Sequence, residues 1–99
     1  MERGGCIYMM ANENNTVLYL GVTSDLASRV YQHKIKEFPN SFTDKYNCNE
    51  LVYYELFHSI EEAIDREKKI KNWKREWKNK LIGDMNPEWN DLSEEINKW

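Results

Sequence analysis

The chain is poor in the features that mark membrane, secreted or multidomain proteins. It has no run of about 18 apolar residues of the kind a membrane helix needs, and no charged-then-apolar start like a secretory signal. Its two cysteines, Cys6 and Cys48, show no metal spacing and no disulfide framework. With only four glycines and two prolines, no linker divides it, and no repeat or low-complexity segment is present. Ninety-nine residues then make a single domain, 1–99, with its core over about 5–90 and a tail, 91–99, that either closes as a short helix or frays. The expected setting is the cytoplasm, with reduced thiols and no membrane contact.

Basic charge is also in deficit. The net charge of −3 argues against a nucleic-acid binder, but the average conceals a segregation. Between Arg66 and Lys80 eight basic residues stand against two acids, Glu67 and Glu76. Such a block attracts a polyphosphate locally even on an acidic protein. The plainer reading is a solvated helix face. Trp73 and Trp77, at i and i+4 within the block, read as core anchors rather than base-stacking platforms.

Cys6–Met10 and Thr16–Val22 are β-branched, aromatic and apolar, and flank the polar turn Asn12–Asn15, which predicts a β-hairpin. A four-residue loop pairs Ala11 with Thr16 and sets Tyr8 opposite Tyr19, so the two phenols share a face. A cross-strand aromatic pair that only packs is the alternative. A helix follows from Asp25 to Lys36, capped by Thr23 or Ser24, with Leu26 and Val30 buried and Arg29 and His33 one turn apart at the stripe's edge. Phe38–Glu50 reads as a loop and Leu51–Phe57 as a third strand. Ser59 and Glu62 form a capping box for a helix over Ile60–Lys71. The helical pattern resumes near Trp73 and stops at Gly83. Beyond it, Met85–Leu92 is turn-forming, with Trp89 folded back, and Ser93–Lys98 is a short acidic helix.

Glu67 stands out on its helix. At 100° per residue it falls within the apolar stripe of Ile60, Ala63, Ile64 and Ile70, while Glu61, Glu62, Asp65, Lys68 and Lys69 point away. A carboxylate on the core side is expensive unless it is paired or holds a metal. An edge residue that reaches solvent or pairs with Lys71 is the other reading.

Tyr8, Tyr19, Arg29, His33 and Glu67 thus form a set of two phenols, a cation, an imidazole and a carboxylate. At these residues the chain resembles the GIY-YIG nuclease family. Cys6-Ile7-Tyr8 stands for the first signature and Tyr19-Leu20-Gly21 for the second, with ten residues between them. Arg29 falls eight positions after Gly21, His33 four further on, and Glu67 on a later helix. The resemblance covers nearly the whole chain and is closest to the small, single-domain UPF0213-like members, through GVTSDL, EAI-x-REK-x-IK and MNPEW.

The resemblance implies an α+β fold: a three-stranded, mostly antiparallel sheet flanked by helices, with the site on the sheet face between the first and second helices. It implies a metal-dependent DNA endonuclease of low sequence specificity, backbone- or structure-directed, with roles in repair or recombination and branched or single-strand-containing DNA among its substrates. Glu67 would hold one divalent ion, Mg²⁺ or Mn²⁺. Tyr8 would be the base or water-positioner, its phenol acidified by that cation. Tyr19 would orient phosphate or water, Arg29 would offer its planar fork to phosphate oxygens, and His33 would share the proton work. Gly21 and a late asparagine, Asn86 or else Asn79, would support the site. Lys45, Lys68, Lys71, Lys74, Arg75 and Lys78 would contact the DNA backbone. Cys6 replaces the first glycine of the GIY triplet, and Val22 stands where repair-type relatives often carry lysine, a charge that Lys34, Lys45 or Lys71 could replace. A non-catalytic nucleic-acid-binding module and a tryptophan-faced protein-interaction domain are the competing readings.

Overall fold

A computed structural model describes residues 4–99. In chain order the elements are β1 (Gly5–Ala11), β2 (Leu18–Thr23), α1 (Leu26–Lys34), α2 (Phe42–Lys45), β3 (Glu50–Phe57), α3 (Ile60–Lys71), α4 (Arg75–Met85) and α5 (Ser93–Ile96). The three strands form one sheet in the order β2-β1-β3, antiparallel throughout, which is the α+β architecture expected.

β1 is the centre of the molecule, and every one of its residues is buried. Side chains alternate across a strand, so Cys6, Tyr8 and Met10 meet Leu26 and Val30 of α1 with Cys48, Leu51 and Ile96. Ile7, Met9 and Ala11 meet Val52, Tyr53, Ala63, Ile70 and Ile82 on the side of α3 and α4. Helices on both faces explain why β1 carries no polar alternation.

The hairpin register differs from expectation by two residues. Ala11 pairs with Leu18, Met10 with Tyr19, and Tyr8 with Gly21. The cause is Asn12, whose Oδ1 accepts from the backbone N–H groups of Thr16 (2.8 Å) and Val17 (2.9 Å) while its Nδ2 donates to Thr16 Oγ1 (2.8 Å). These bonds hold Thr16 and Val17 in the loop. Because the side-chain period is two, the slip leaves Tyr8 and Tyr19 on one face.

α1 is capped by Asp25 rather than Thr23 or Ser24: Asp25 Oδ1 accepts from Ser28 N–H (3.2 Å). The expected loop contains α2, capped by Ser41, and α3 begins at the expected cap, Ser59. α4 runs through Gly83 to Met85. Its stop is Asn86, held out of the helical region because Pro87 follows.

The expectation about Trp77 is corrected, and of the two alternatives for the tail the structure takes the closed one. Trp73 packs against the α3–α4 side of the core, but Trp77 is 53% exposed and meets Trp73 edge-on. The tail is built in. Leu92 N–H donates to Leu51 O (2.7 Å), Leu51 N–H donates to Asp91 Oδ1 (3.1 Å), and Ile96 is buried in the core. Asp91 also pairs with Lys34 of α1 at 2.7 Å. Burial alone would raise the Asp91 carboxyl, but the bonds from Lys34, Ser93 and Leu51 together hold it below its ordinary range.

Candidate active site

Gly21 and Tyr8 begin the site. A β-carbon on Gly21 would lie 2.5 Å from the Tyr8 ring, so the phenol lies directly across the glycine and needs its missing side chain. This close approach aims the Tyr8 hydroxyl at α1, where it meets His33 Nε2 at 2.9 Å. His33 Nδ1 in turn lies 2.9 Å from Thr43 Oγ1 on α2. All three side chains in this chain of contacts are buried.

Burial sets the proton chemistry of the pair. It pushes the Tyr8 phenol well above its ordinary value, with Tyr19 adding to the effect and Arg29 opposing it. The acidified phenol expected at Tyr8 would therefore have to come from the bound cation, since the chain's own groups raise it. Burial, then the Arg29 charge, lowers His33, which favours a neutral imidazole. The buried Cys6 thiol is pushed up to about 12, chiefly by burial, so the residue that departs from the GIY triplet sits as an inert core side chain.

The remaining groups open to solvent around the outer edge of β2. On one side a depression of about 240 Å³ is lined by Tyr19, Arg29, His33, Phe38, Ser41, Phe42 and Thr43. A second, of about 510 Å³, is lined by Leu18 through Val22 with Phe42, Glu67, Lys71 and Lys78. Tyr19 and Phe42 wall both. The site therefore straddles a sheet edge instead of lying on one face between two helices. Tyr8 lines neither depression and stands behind them.

α3 delivers Glu67 to this edge. Consecutive helical residues point 100° apart, and Arg66 reaches the other way, pairing with Glu55 of β3 (3.3 Å) and lying over the Trp73 ring. Glu67 is half-buried, as its place on the stripe implies, and Lys71 does not neutralise it. Among the described residues neither the Glu67 carboxylate nor the Arg29 guanidinium has an ion-pair or hydrogen-bond partner.

Among the described residues no group of three or more His, Cys, Asp or Glu side chains converges on a cation. A lone carboxylate at an open depression does not suit zinc or a calcium cage. It does suit a hard ion such as Mg²⁺, which keeps much of its water and takes one or two carboxylates plus substrate oxygens.

Of the basic residues, Lys71 and Lys78 line the Glu67 depression next to Val22, supplying from the helices the charge that the strand lacks. Lys45, Lys68 and Lys74 are exposed. Arg75 is committed to structure, donating to the carbonyls of Asn15 (2.8 Å) and Thr16 (3.2 Å) and to Asn79 Oδ1 (2.8 Å). Lys34 is likewise held by Asp91.

Asn86 is not at the site. Its Nδ2 donates to Val52 O (3.1 Å) and Asn90 O (2.8 Å), and its Oδ1 accepts from Asn90 N–H (3.1 Å). Val52 falls at the register shift where Met9 pairs with Tyr53 and Met10 with Leu51, so Asn86 serves a carbonyl at the β-bulge. Asn79, the second choice, is exposed and holds Arg75. Thr43, in contrast, touches the site and was missed, since a threonine in an irregular segment carries no periodic signal.

One phenol, a guanidinium and a carboxylate thus open at the edge of a small α+β sheet, with a buried phenol–imidazole pair behind them. The chain matches the GIY-YIG catalytic domain over residues 4–81 and belongs to that family. The family is one of nucleases acting on nucleic acid, in general with a divalent metal. The solution NMR structure of a UPF0213 protein from Bacillus halodurans shares the fold at 22% identity and a TM-score of 0.56, covering 91% of this chain and 94% of that one. No curated protein matches. No helix among the described residues is long and apolar enough to cross a membrane.

Proposed function

We propose that this chain is a divalent-metal-dependent DNA endonuclease of low sequence specificity, acting on distorted or branched DNA in cytoplasmic repair or recombination. The observation that carries the reading is the pair of unpartnered opposite charges, Arg29 and Glu67, whose depressions meet at Tyr19. A phosphodiester carries anionic oxygens for Arg29 and, through a bound cation, for Glu67. Among the described residues neither charge is spent within the fold, and a charge pair of this kind is what a substrate would complete.

The residues divide the work. Arg29 offers parallel N–H groups to the non-bridging oxygens, a geometry lysine cannot match. Glu67 would hold the Mg²⁺ or Mn²⁺, which supplies Lewis-acid stabilisation of the phosphate and the leaving oxygen. Lys71 and Lys78 raise the local potential, and the exposed Lys45, Lys68 and Lys74 add salt-sensitive backbone contacts.

Tyr19 is the half-exposed phenol and meets the attacking water. Behind it, Tyr8 and His33 take up the proton. A phenol is a better hydrogen-bond donor than an aliphatic hydroxyl and a poorer acceptor. His33 Nε2 therefore accepts from Tyr8, while Nδ1–H donates to Thr43. Tyr8 can pass its proton to Nε2 as it receives one from the side of Tyr19. The neighbouring Arg29 disfavours the imidazolium so formed and helps return the proton.

Burial of Tyr8 favours one second reading, a binding module that keeps the scaffold without the reaction. Nicking of supercoiled plasmid and of flap and fork oligonucleotides, in Mg²⁺ or Mn²⁺ against EDTA, separates the two. Metal-dependent nicking that Glu67→Ala and Tyr8→Phe both abolish is the expected result. Binding without cleavage in wild type, or equal cleavage by all three proteins, overturns the nuclease reading.

A further inference from the structure

Phe38 and Phe42 are each 45% exposed, although neither has a polar atom to offer water. Both line the depression that holds Arg29 and His33, and Phe42 also walls the Glu67 depression. From Tyr19 an aromatic run leads outward: Phe42 lies 5.9 Å from Tyr19, and Tyr46, 47% exposed, lies 4.8 Å from Phe42. The unpaired Arg29 sits in the same depression and the exposed Lys45 on the same short helix.

We propose that Phe38 and Phe42 are a stacking platform for an unpaired nucleobase adjacent to the phosphate held between Arg29 and Glu67. The inference rests on the nuclease reading and gives it a substrate class. An anionic phosphate has nothing to gain from a bare phenyl face, whereas every nucleobase presents a π-face that stacks on one. A base inside a duplex has both faces covered by its neighbours. Only a base at a flap, gap, mismatch or single-stranded end can leave its stack cheaply enough to reach the rings. The positive charge of Arg29 beside the platform fits the strand that carries such a base and argues against an acidic-free apolar peptide as the occupant. Selection would then act through the cost of unstacking and not through base identity, which agrees with a site that offers the bases no hydrogen-bonding edge on these two side chains.

The test uses the full chain in EDTA, where binding is read without cleavage. Two probes of the same sequence, a fully paired duplex and a duplex with a short single-stranded flap, carry 2-aminopurine at the junction. Wild type should bind the flap more tightly and quench the 2-aminopurine. Phe38→Ala and Phe42→Ala should each weaken flap binding by roughly five- to a hundredfold with duplex affinity unchanged. Stacking releases no counterions, so the dependence of affinity on salt should keep its slope in both variants. Phe42 also packs on Tyr19, so Phe42→Trp, which restores a ring, should recover the flap preference that alanine loses. Equal losses on both probes, unchanged affinity, unquenched 2-aminopurine, or capture of a protein partner with no flap preference would overturn the platform. Failure of the nuclease reading looks different: flap binding and quenching persist, but no metal supports nicking. Nicking of paired and unpaired sites alike, with no quench, would sink the platform and leave the nuclease standing.

Discussion

Replacing Gly21 with alanine forces a collision with the ring of Tyr8. The new methyl would sit 2.5 Å from Cζ and Oη and 2.7 Å from Cε1, against about 3.5–4.0 Å for a relaxed carbon contact. The ring must retreat by about 1 Å, and it has nowhere to go: Tyr8 is 1% exposed and enclosed by the α1 side of the core. Overpacking of this kind costs about 1–3 kcal/mol. Displacing the ring also disturbs the contact of Oη with His33 Nε2, and if that bond is lost an unsatisfied buried group adds about 1–3 kcal/mol. Gly21 has no positive φ, so alanine fits the backbone and its stiffer unfolded chain returns about 0.4–1 kcal/mol. A net loss of ~1–6 kcal/mol follows, a large part of the ~5–15 kcal/mol that a domain has. Urea titration should show a lower midpoint with an unchanged slope. The decisive measurement is a double-mutant cycle. In a Tyr8→Leu background the ring is gone, and Gly21→Ala should cost about 0.5 kcal/mol or less. The same cost in both backgrounds, or no cost in wild type, would refute the account of this glycine.

Thr43→Val keeps the shape and removes the acceptor at His33 Nδ1. It should shift the imidazole away from the Nδ1–H form in ¹⁵N NMR and lower kcat with KM little changed, while Thr43→Ser retains both; an unchanged tautomer would show that Thr43 does not set it. His33 has a lowered pKa, so between that value and its ordinary 6.5 the unfolded chain holds more protons than the folded one. Its contribution to stability is therefore complete above about pH 6.5 and declines as pH falls through that window, at up to ~1.4 kcal/mol per pH unit. Urea midpoints against pH for wild type and His33→Gln check this, and parallel curves would contradict it. Asn86→Ala should destabilise by ~2–4 kcal/mol, since it strips Val52 O of a buried donor, yet leave the nicking rate per folded molecule intact. A rate loss as deep as that of Glu67→Ala would return Asn86 to the site.

The strands and the α3 cap at Ser59 were legible because each rests on local spacing, whereas the five site residues were read from the family resemblance. Even the wrong hairpin register kept Tyr8 and Tyr19 together, since a slip of two residues preserves the face. What the sequence did not disclose depends on contacts distant along the chain. The Asn12 side chain bonds past its own turn, Thr43 matters only because α2 folds under α1, and Asp91 links the tail to Leu51 and Lys34. Glu67 was recognisable as an oddity on its stripe, but its reach to the β2 edge needed the helix placed over the sheet. Trp77 and Gly83 failed for a related reason: wheel position and residue type do not say where a neighbouring element ends.

Among the described residues β2 is an edge strand, with a row of main-chain donors and acceptors that no neighbouring strand occupies. Such a row is a template for another copy of the sheet, and natural edges are often blunted by lysine. Lys71 and Lys78 stand over this one, so they act as gatekeepers of solubility as well as of electrostatic potential. Neutralising both would invite strand-to-strand accretion, and turbidity would rise with protein concentration even without DNA. A drop in apparent affinity for DNA would then record the loss of monomer, and each lysine's share in binding is readable only where light scattering shows the chain still dispersed.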